Sequence, residues 1–265
     1  MTEIVSKKLG RQSAHRSAQG RPTGRPTRLP RVLVWDIEST GLNATFGSIL
    51  CIGWKWLGDP TVTVRTIMAA GGSGMMDDKP LVREFAKAFA ECDYHVTWYG
   101  LRFDLPMVMT KLLKYRLPPL PPKPHLDLWR TARYKMKLHS NRLATVSEYL
   151  GVPHSKTPIT FDDWLNAAHG DKKSLSRVVE HCRLDVLVLE DVYERMLPWV
   201  AEQPHVGMLT GEPNGCPSCG SLRTTMQGTR VTKARKYQQY QCQDCGTWSR
   251  ARIAEKSSPA LVRAG

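Results

Sequence analysis

No apolar run in this 265-residue chain approaches the ~20 residues that a bilayer crossing requires. Residues 1–30 hold no apolar block of the kind that heads a secretory signal, so the expected compartment is the cytoplasm, with no membrane partner. Acidic residues are scarce at both ends. Residues 1–31 carry eight Lys/Arg against Glu3, and residues 213–265 carry nine against Asp244 and Glu255. Residues 32–212 carry 21 of each sign, so the net charge of +14 sits in two appendages around a neutral body. Segregated positive charge suits a polyanion, and nucleic acid is the usual one, although charge alone does not separate it from an anionic membrane surface. The glycine-rich stretch Gly71-Gly72-Ser73-Gly74 lacks the Lys-Ser/Thr of a phosphate-binding loop and carries no function of that type.

The segment Val32-Leu33-Val34-Trp35-Asp36-Ile37-Glu38-Ser39-Thr40-Gly41 reads as a buried strand running into a turn. Side chains alternate across a strand, so Asp36 and Glu38 share one face while Trp35 and Ile37 point to a core on the other. Two adjacent carboxylates on a buried face repel and lose hydration, and a divalent cation relieves both costs. The bland alternative is a strand end where two acids meet water. Asp104 lies past a short strand, at the start of a helix, where α/β sheets form sites; a lone Asp there also serves as a cap. Asp185 sits among apolar residues in a long helix, with His181 one turn earlier on the same face. A buried carboxylate there calls for a cation, either a metal ion or a salt-bridge partner.

The order of elements is a three-strand meander, a helix from Pro80 to about Cys92, a strand at 95–99, and a helix to about Arg116. A short strand at 125–128 and helices at about 128–137, 141–150, 161–168 and 173–197 follow. That pattern predicts an α/β fold, a mixed sheet with helices on its faces. The expected divisions are a basic disordered tail at 1–30, this domain at 31–200, a linker at 201–212, a small β module at 213–254 and a tail at 255–265. Within the first tail, Gly20-Arg21-Pro22-Thr23 repeats as Gly24-Arg25-Pro26-Thr27. It resembles an AT-hook only weakly, and a solvated tail is the simpler reading.

Cys51, Cys92 and Cys182 are scattered among apolar residues and read as small core side chains. Cys216, Cys219, Cys242 and Cys245 form two Cys-x2-Cys pairs, each followed by Gly, which accepts the positive φ of a metal-binding knuckle. Their spacing predicts one closed, structural Zn2+ site in a reducing compartment, with zinc supplying stability that so small a core lacks. Between the pairs an alternating hairpin carries Arg230, Lys233, Arg235, Lys236, Tyr237 and Tyr240. Basic and aromatic residues together favour phosphate contact and base stacking, and protein docking is the alternative.

The acidic motifs resemble those of the DEDD (DnaQ-like) 3′→5′ exonucleases, which have a ribonuclease-H-like fold. Asp36-x-Glu38 is similar to the first motif, Tyr99-Gly100-x-x-Phe103-Asp104-Leu105-Pro106 to the second and His181-x3-Asp185 to the third. The resemblance covers about 31–200 and is most like the exonuclease domains of family B DNA polymerases and bacterial and phage ribonuclease-H-like exonucleases. It implies a five-stranded mixed sheet plus a small β zinc ribbon. It also implies a two-metal hydrolysis of phosphodiesters with Mg2+ or Mn2+ ions ~4 Å apart. Asp36, Glu38 and Asp185 hold the ions directly in that scheme, and Asp104 binds the second partly through water. One departure stands out: members with His use His-x4-Asp, those with Tyr use Tyr-x3-Asp, and this chain places His181 at the tyrosine's spacing. His181 is then either the general base or only an orienting group. Tyr99, Arg102, Phe103 and Lys156 are candidate nucleic-acid contacts, and Asp127 is a lesser candidate beside the site. The resemblance implies DNA as partner, with RNA or branched DNA as alternatives, in replication, repair or recombination, phage-encoded proteins being among those it points to. The opposing class is a non-enzymatic zinc-ribbon adaptor, which predicts a missing site carboxylate.

Overall fold

The computed structural model describes residues 29–74, 76–155, 157–255 and 261. The Gly-Arg-Pro repeat and Lys156 lie outside the described residues. A five-stranded sheet is built from β1 (Val32–Ser39), β2 (Ile49–Trp56), β3 (Thr63–Thr66), β4 (Tyr94–Thr97) and β5 (His125–Asp127), in the order β3-β2-β1-β4-β5. The first three strands run as an antiparallel meander, while β4 pairs parallel to both β1 and β5. Helices α1 (Lys79–Ala90) and α2 (Asp104–Lys114) cover one face. The other face is covered by α6 (Lys172–Met196) with α4 (Leu143–Leu150); α3 (Leu128–Lys135) and α5 (Phe161–Ala168) complete this side. The expected mixed sheet with helices on both faces is therefore present, and each expected element lies within a few residues of its observed bounds.

Alternation along β1 decides what each layer receives. Leu33, Trp35 and Ile37 enter a core with Leu81, Val82, Phe85 and Phe89 of α1, where the Trp35 ring lies 4.8 Å from Phe85. Val32 and Val34 face α6 residues Val186, Leu189 and Val192. Proline in its first turn suits α1, and the 81/82/85/89 spacing supplies its apolar stripe. The N-cap Asp171 opens α6 by accepting from the Ser174 amide at 2.7 Å.

Ions inside this core are paired. Asp78, fully buried, receives Lys111 Nζ at 3.0 Å, the Ile49 amide at 2.9 Å and the Tyr115 hydroxyl. Lys111 also donates to the Gly47 carbonyl, so α2 fastens the loop that follows β1. On the opposite face, Lys55 of β2 pairs with Glu190 of α6.

The C-terminal module is a three-stranded antiparallel sheet of β6 (Thr224–Val231), β7 (Lys236–Cys242) and β8 (Trp248–Arg250), in that order. The residues joining it to the first body are packed. Val200 and Val206 enter the α6-side core, the latter in a short helix, α7 (Val206–Leu209). Gln203 donates to the hydroxyls of Tyr94 and Tyr193, both at 3.0 Å, and the Val206 amide donates to the Pro217 carbonyl at 2.7 Å.

Two histidines pair across β4 and β5. His95 and His125 stack at 4.1 Å, Trp35 Nε1 donates to His95 Nδ1 at 3.1 Å, and His125 Nε2 meets Thr97 Oγ1 at 2.8 Å. Burial pushes both pKa values down from 6.5, His125 to about 4 and His95 to about 2. The unfolded chain protonates these rings below pH ~6.5 while the folded one does not, so it takes up more protons. Stability is then complete above pH ~6.5 and falls as pH drops, by up to roughly 1.4 kcal/mol per pH unit for each imidazole. Thermal melts between pH 6.5 and 5 are expected to show this slope less the opposing share of the buried Asp104 carboxyl, whose pKa is raised to about 7, and His125→Gln is expected to remove one imidazole's share.

Candidate active site

The site forms where β1 passes beneath α6. Asp36 and Glu38 project from the same face of β1, and α6 brings His181 and Asp185, one helical turn apart, over that face. Ligand atoms of Glu38, His181 and Asp185 lie within 4.8 Å of one another. His181 Nε2 stands 3.9 Å from Glu38 Oε1 and 3.8 Å from Asp185 Oδ2, beyond direct hydrogen bonding. Asp36 joins His181 and Asp185 in lining a cleft of about 980 Å³. Asp104, first residue of α2 and buried, accepts from the Ile37 amide at 3.2 Å, between the two β1 acids. Four carboxylates from three elements thus converge.

Their electrostatics ask for positive charge. Burial pushes the Asp104 carboxyl up to about 7, against the lowering effect of backbone hydrogen bonds, and the charges of Asp127 and Asp185 raise it further. Glu38 accepts from Trp164 Nε1 at 2.8 Å, and the Trp164 ring stands edge-on to His181, with centroids 5.9 Å apart. All the donor atoms on the acids are hard oxygens, a set that fits Mg2+ or Mn2+ rather than soft metals.

His181 Nδ1 lies 3.1 Å from the Thr157 carbonyl oxygen, which can only accept. The proton of a neutral ring therefore belongs on Nδ1, and the Nε2 lone pair faces the carboxylates.

Close approach makes this geometry possible. A Cβ at Gly53 of β2 would meet Cys182 Sγ at 2.8 Å and Val186 Cγ2 at 3.2 Å. Only a strand position without a side chain lets α6 lie this near the sheet.

The second-motif loop forms one wall of the cleft. Tyr99 holds φ of 66°, unusual for a residue with a Cβ. Asp127 stabilises it by accepting from the amides of Tyr99 at 2.8 Å, Leu101 at 3.1 Å and Trp129 at 3.2 Å. Asp127 thus organises the loop and caps α3. Tyr99 and Trp129 meet edge to face at 5.0 Å in the cleft wall, beside Trp98. Arg102 is exposed and Phe103 packs partly into the α1/α2 core; neither lines the cleft. Trp164, Trp98 and Trp129 carried no motif signal in the sequence.

In the C-terminal module the four cysteine sulfurs lie within 4.8 Å of one another, with Cys216–Cys245 and Cys219–Cys242 each 3.6 Å apart. A disulfide needs about 2.05 Å. Four sulfurs around a tetrahedral ion at about 2.3 Å sit about 3.8 Å apart, close to the observed spacing. Gly220 and Gly246 do adopt positive φ, 75° and 77°. On the hairpin, Arg230, Lys233 and Arg235 are exposed and Tyr240 is half-buried. Lys236 pairs with Glu255 at 3.2 Å, and Tyr237 is buried beneath the Arg250 guanidinium, 4.1 Å from its ring centre.

The sequence profile of the RNase_H superfamily matches residues 33–197. YprB of Bacillus subtilis (strain 168), an uncharacterized protein, is 31% identical over 186 residues, or 64% of this chain and 43% of that protein. The chain thus spans less than half the length of this curated relative. Among solved structures, the family B DNA polymerase of the hyperthermophilic archaeon Pyrobaculum calidifontis superposes with a TM-score of 0.51 at 18% identity. That match covers 81% of this chain and 32% of the polymerase, and the likeness is one of fold.

A substitution at the close approach tests this architecture. Gly53→Ala is expected to push α6 outward at a cost of about 1–3 kcal/mol. Moving His181 and Asp185 away from β1 is expected to lower Mn2+ affinity at least tenfold, read by calorimetry on a protein whose far-ultraviolet circular dichroism is unchanged. Native affinity in the folded variant would separate the site from this contact.

Proposed function

The chain belongs to the RNase_H superfamily, and from that premise we propose that it is a metal-dependent nuclease, specifically a 3′→5′ exonuclease acting on DNA. The observation that carries this reading is the gathering of Glu38, His181 and Asp185 ligand atoms within 4.8 Å, with Asp36 lining the same cleft as His181 and Asp185, and Asp104 bonded to the Ile37 amide between the two β1 acids. A non-enzymatic adaptor has no need to keep four carboxylates in so unfavourable an arrangement. These four acids would hold two Mg2+ or Mn2+ ions, which when bound supply charge neutralisation and a more acidic attacking water.

The chain's own groups supply the remainder. His181, its Nδ1 proton held by the Thr157 carbonyl, offers Nε2 to take the proton of the attacking water, which favours the general-base role over mere orientation. Trp164 fixes the Glu38 carboxylate by its 2.8 Å hydrogen bond. Tyr99 and Trp129 present aromatic surface against which a terminal base can rest. Exposed Arg230, Lys233 and Arg235, with the basic N-terminal residues, hold the phosphate backbone, while the four cysteines would hold a Zn2+ that when bound stabilises the ribbon.

End-labelled single- and double-stranded DNA and RNA, digested with Mg2+, Mn2+ or EDTA, test the proposal. Stepwise shortening of DNA from its 3′ end is expected, and it should stop with EDTA. Asp36→Ala and Asp185→Asn are each expected to lower the rate at least 10³-fold. His181→Phe is expected to lower kcat by about 10²–10⁴-fold with ion affinity preserved. Undiminished cleavage by Asp36→Ala would sink the site assignment. Digestion of RNA alone would move the substrate to the rival class, and binding without any cleavage would favour the adaptor.

A further inference from the structure

The ribbon sheet has two faces, and they are chemically unlike. On β7, Cys242 points to the cysteine cluster, so Tyr240 and Gln238 share its side and Gln241, Gln239 and Tyr237 share the other. Register extends that second side across the sheet. Trp248 pairs with Gln241 and Arg250 with Gln239 on β8, and Arg230 pairs with Tyr237 on β6. The Arg250 guanidinium, 4.1 Å over the Tyr237 ring, stands on the same side as that ring. Trp248 is 53% exposed, and Arg230 and Arg250 are exposed as well.

We propose that this face, made by Trp248, Arg250, Gln239, Gln241 and Arg230, is a binding platform for single-stranded nucleic acid; the proposal rests on the nuclease reading and gives the ribbon its substrate form. Among the described residues, no carboxylate of the ribbon strands stands on the face. The two acids of residues 213–265 are already matched, Asp244 by Arg223 at the knuckle and Glu255 by Lys236 at the far edge. The face therefore keeps its positive charge, which suits a polyanion. An exposed indole beside amide side chains and a flat guanidinium is the equipment for stacking an unpaired base and reaching its edge. A paired duplex hides those ring faces, so the platform favours strands with free bases. Gln203 and Val206 bond the module that carries the platform to the body that carries the cleft.

Binding of fluorescein-labelled dT20 to the zinc-loaded full chain, carrying Asp36→Ala and kept in Ca2+ to prevent digestion, tests the platform by anisotropy. Trp248→Ala with Arg250→Gln is expected to weaken dT20 binding at least tenfold, whereas Arg83→Gln, an exposed charge on α1, changes it less than twofold. Trp248→Phe, which keeps an aromatic ring, is expected to bind within threefold of the parent. A loss under threefold in the double variant would overturn the proposal, as would a larger loss for an Asp/Glu-rich peptide than for dT20. A second measurement needs no variant. Ultraviolet crosslinking of a 5-iodouracil oligonucleotide to the parent protein is expected to mark Trp248, and adducts confined to residues 31–200 would overturn the platform. Hydrolysis of thymidine 5′-p-nitrophenyl phosphate, too small to span cleft and ribbon, reports the nuclease reading separately.

Discussion

The structure depends on how closely α6 can approach the sheet. That helix carries two of the five site residues and must lie against β1 and β2 to deliver them. Gly53 and Cys182 make room: one lacks a side chain, and the other offers a sulfur small enough to sit in the resulting hollow. The Lys55–Glu190 pair ties the same helix to the same strand two turns farther along. An apolar contact alone would tolerate some sliding. A buried ion pair whose Glu190 also accepts from the Gly58 amide at 2.8 Å does not, because any shift leaves charge unpaired in a poorly solvated place.

The cost of the site falls on its carboxylates, and the surroundings distribute it. Asp104 is kept from ionising easily by burial and by its acidic neighbours, although backbone amides partly offset this. Glu38 has an indole donor, and Asp127 spends its lone pairs on two amides of the adjoining loop and one in the first turn of α3. Each acid thus has a different degree of compensation, and under the proposed function divalent cations would complete the least compensated of them. Fold and site belong together here, since the sheet's alternation sorts acids from core and the helix crossing then closes the cluster.

Much of this was readable in the sequence because it is written in short-range patterns. The Asp36/Glu38 alternation, the His181/Asp185 helical spacing and the Cys-x2-Cys knuckles each occupy fewer than ten residues and need only local geometry to interpret. Helix positions followed from apolar periodicity in the same way. What stayed hidden depends on distant or backbone partners. Trp164 meets Glu38 across 126 residues of sequence, with nothing local to mark it beyond the capping box that opens its helix. The orientation of His181 is set by a carbonyl at Thr157, a group every residue possesses. Asp127 was visible as an acid at a strand end, but its service to the Tyr99 loop is a matter of two amide positions that only folding brings to it. The packing of residues 200–210 was hidden too, because a segment that opens after a helix-breaking proline reads as a spacer while Val200, Gln203 and Val206 find partners in the body.

The tyrosine pair beneath that segment has a mechanical meaning. Tyr193 lies on α6 eight residues beyond Asp185, about 12 Å along the helix axis. Its hydroxyl bonds Tyr94 of β4 at 2.9 Å and is held by Gln203, which also reaches the Ser218 carbonyl in the first cysteine knuckle. The ribbon is therefore joined to the same rigid rod that carries Asp185, with the parallel strand β4 as its anchor. Gln203 thus forms one hydrogen-bonded junction between the helix that carries Asp185 and the first cysteine knuckle of the ribbon.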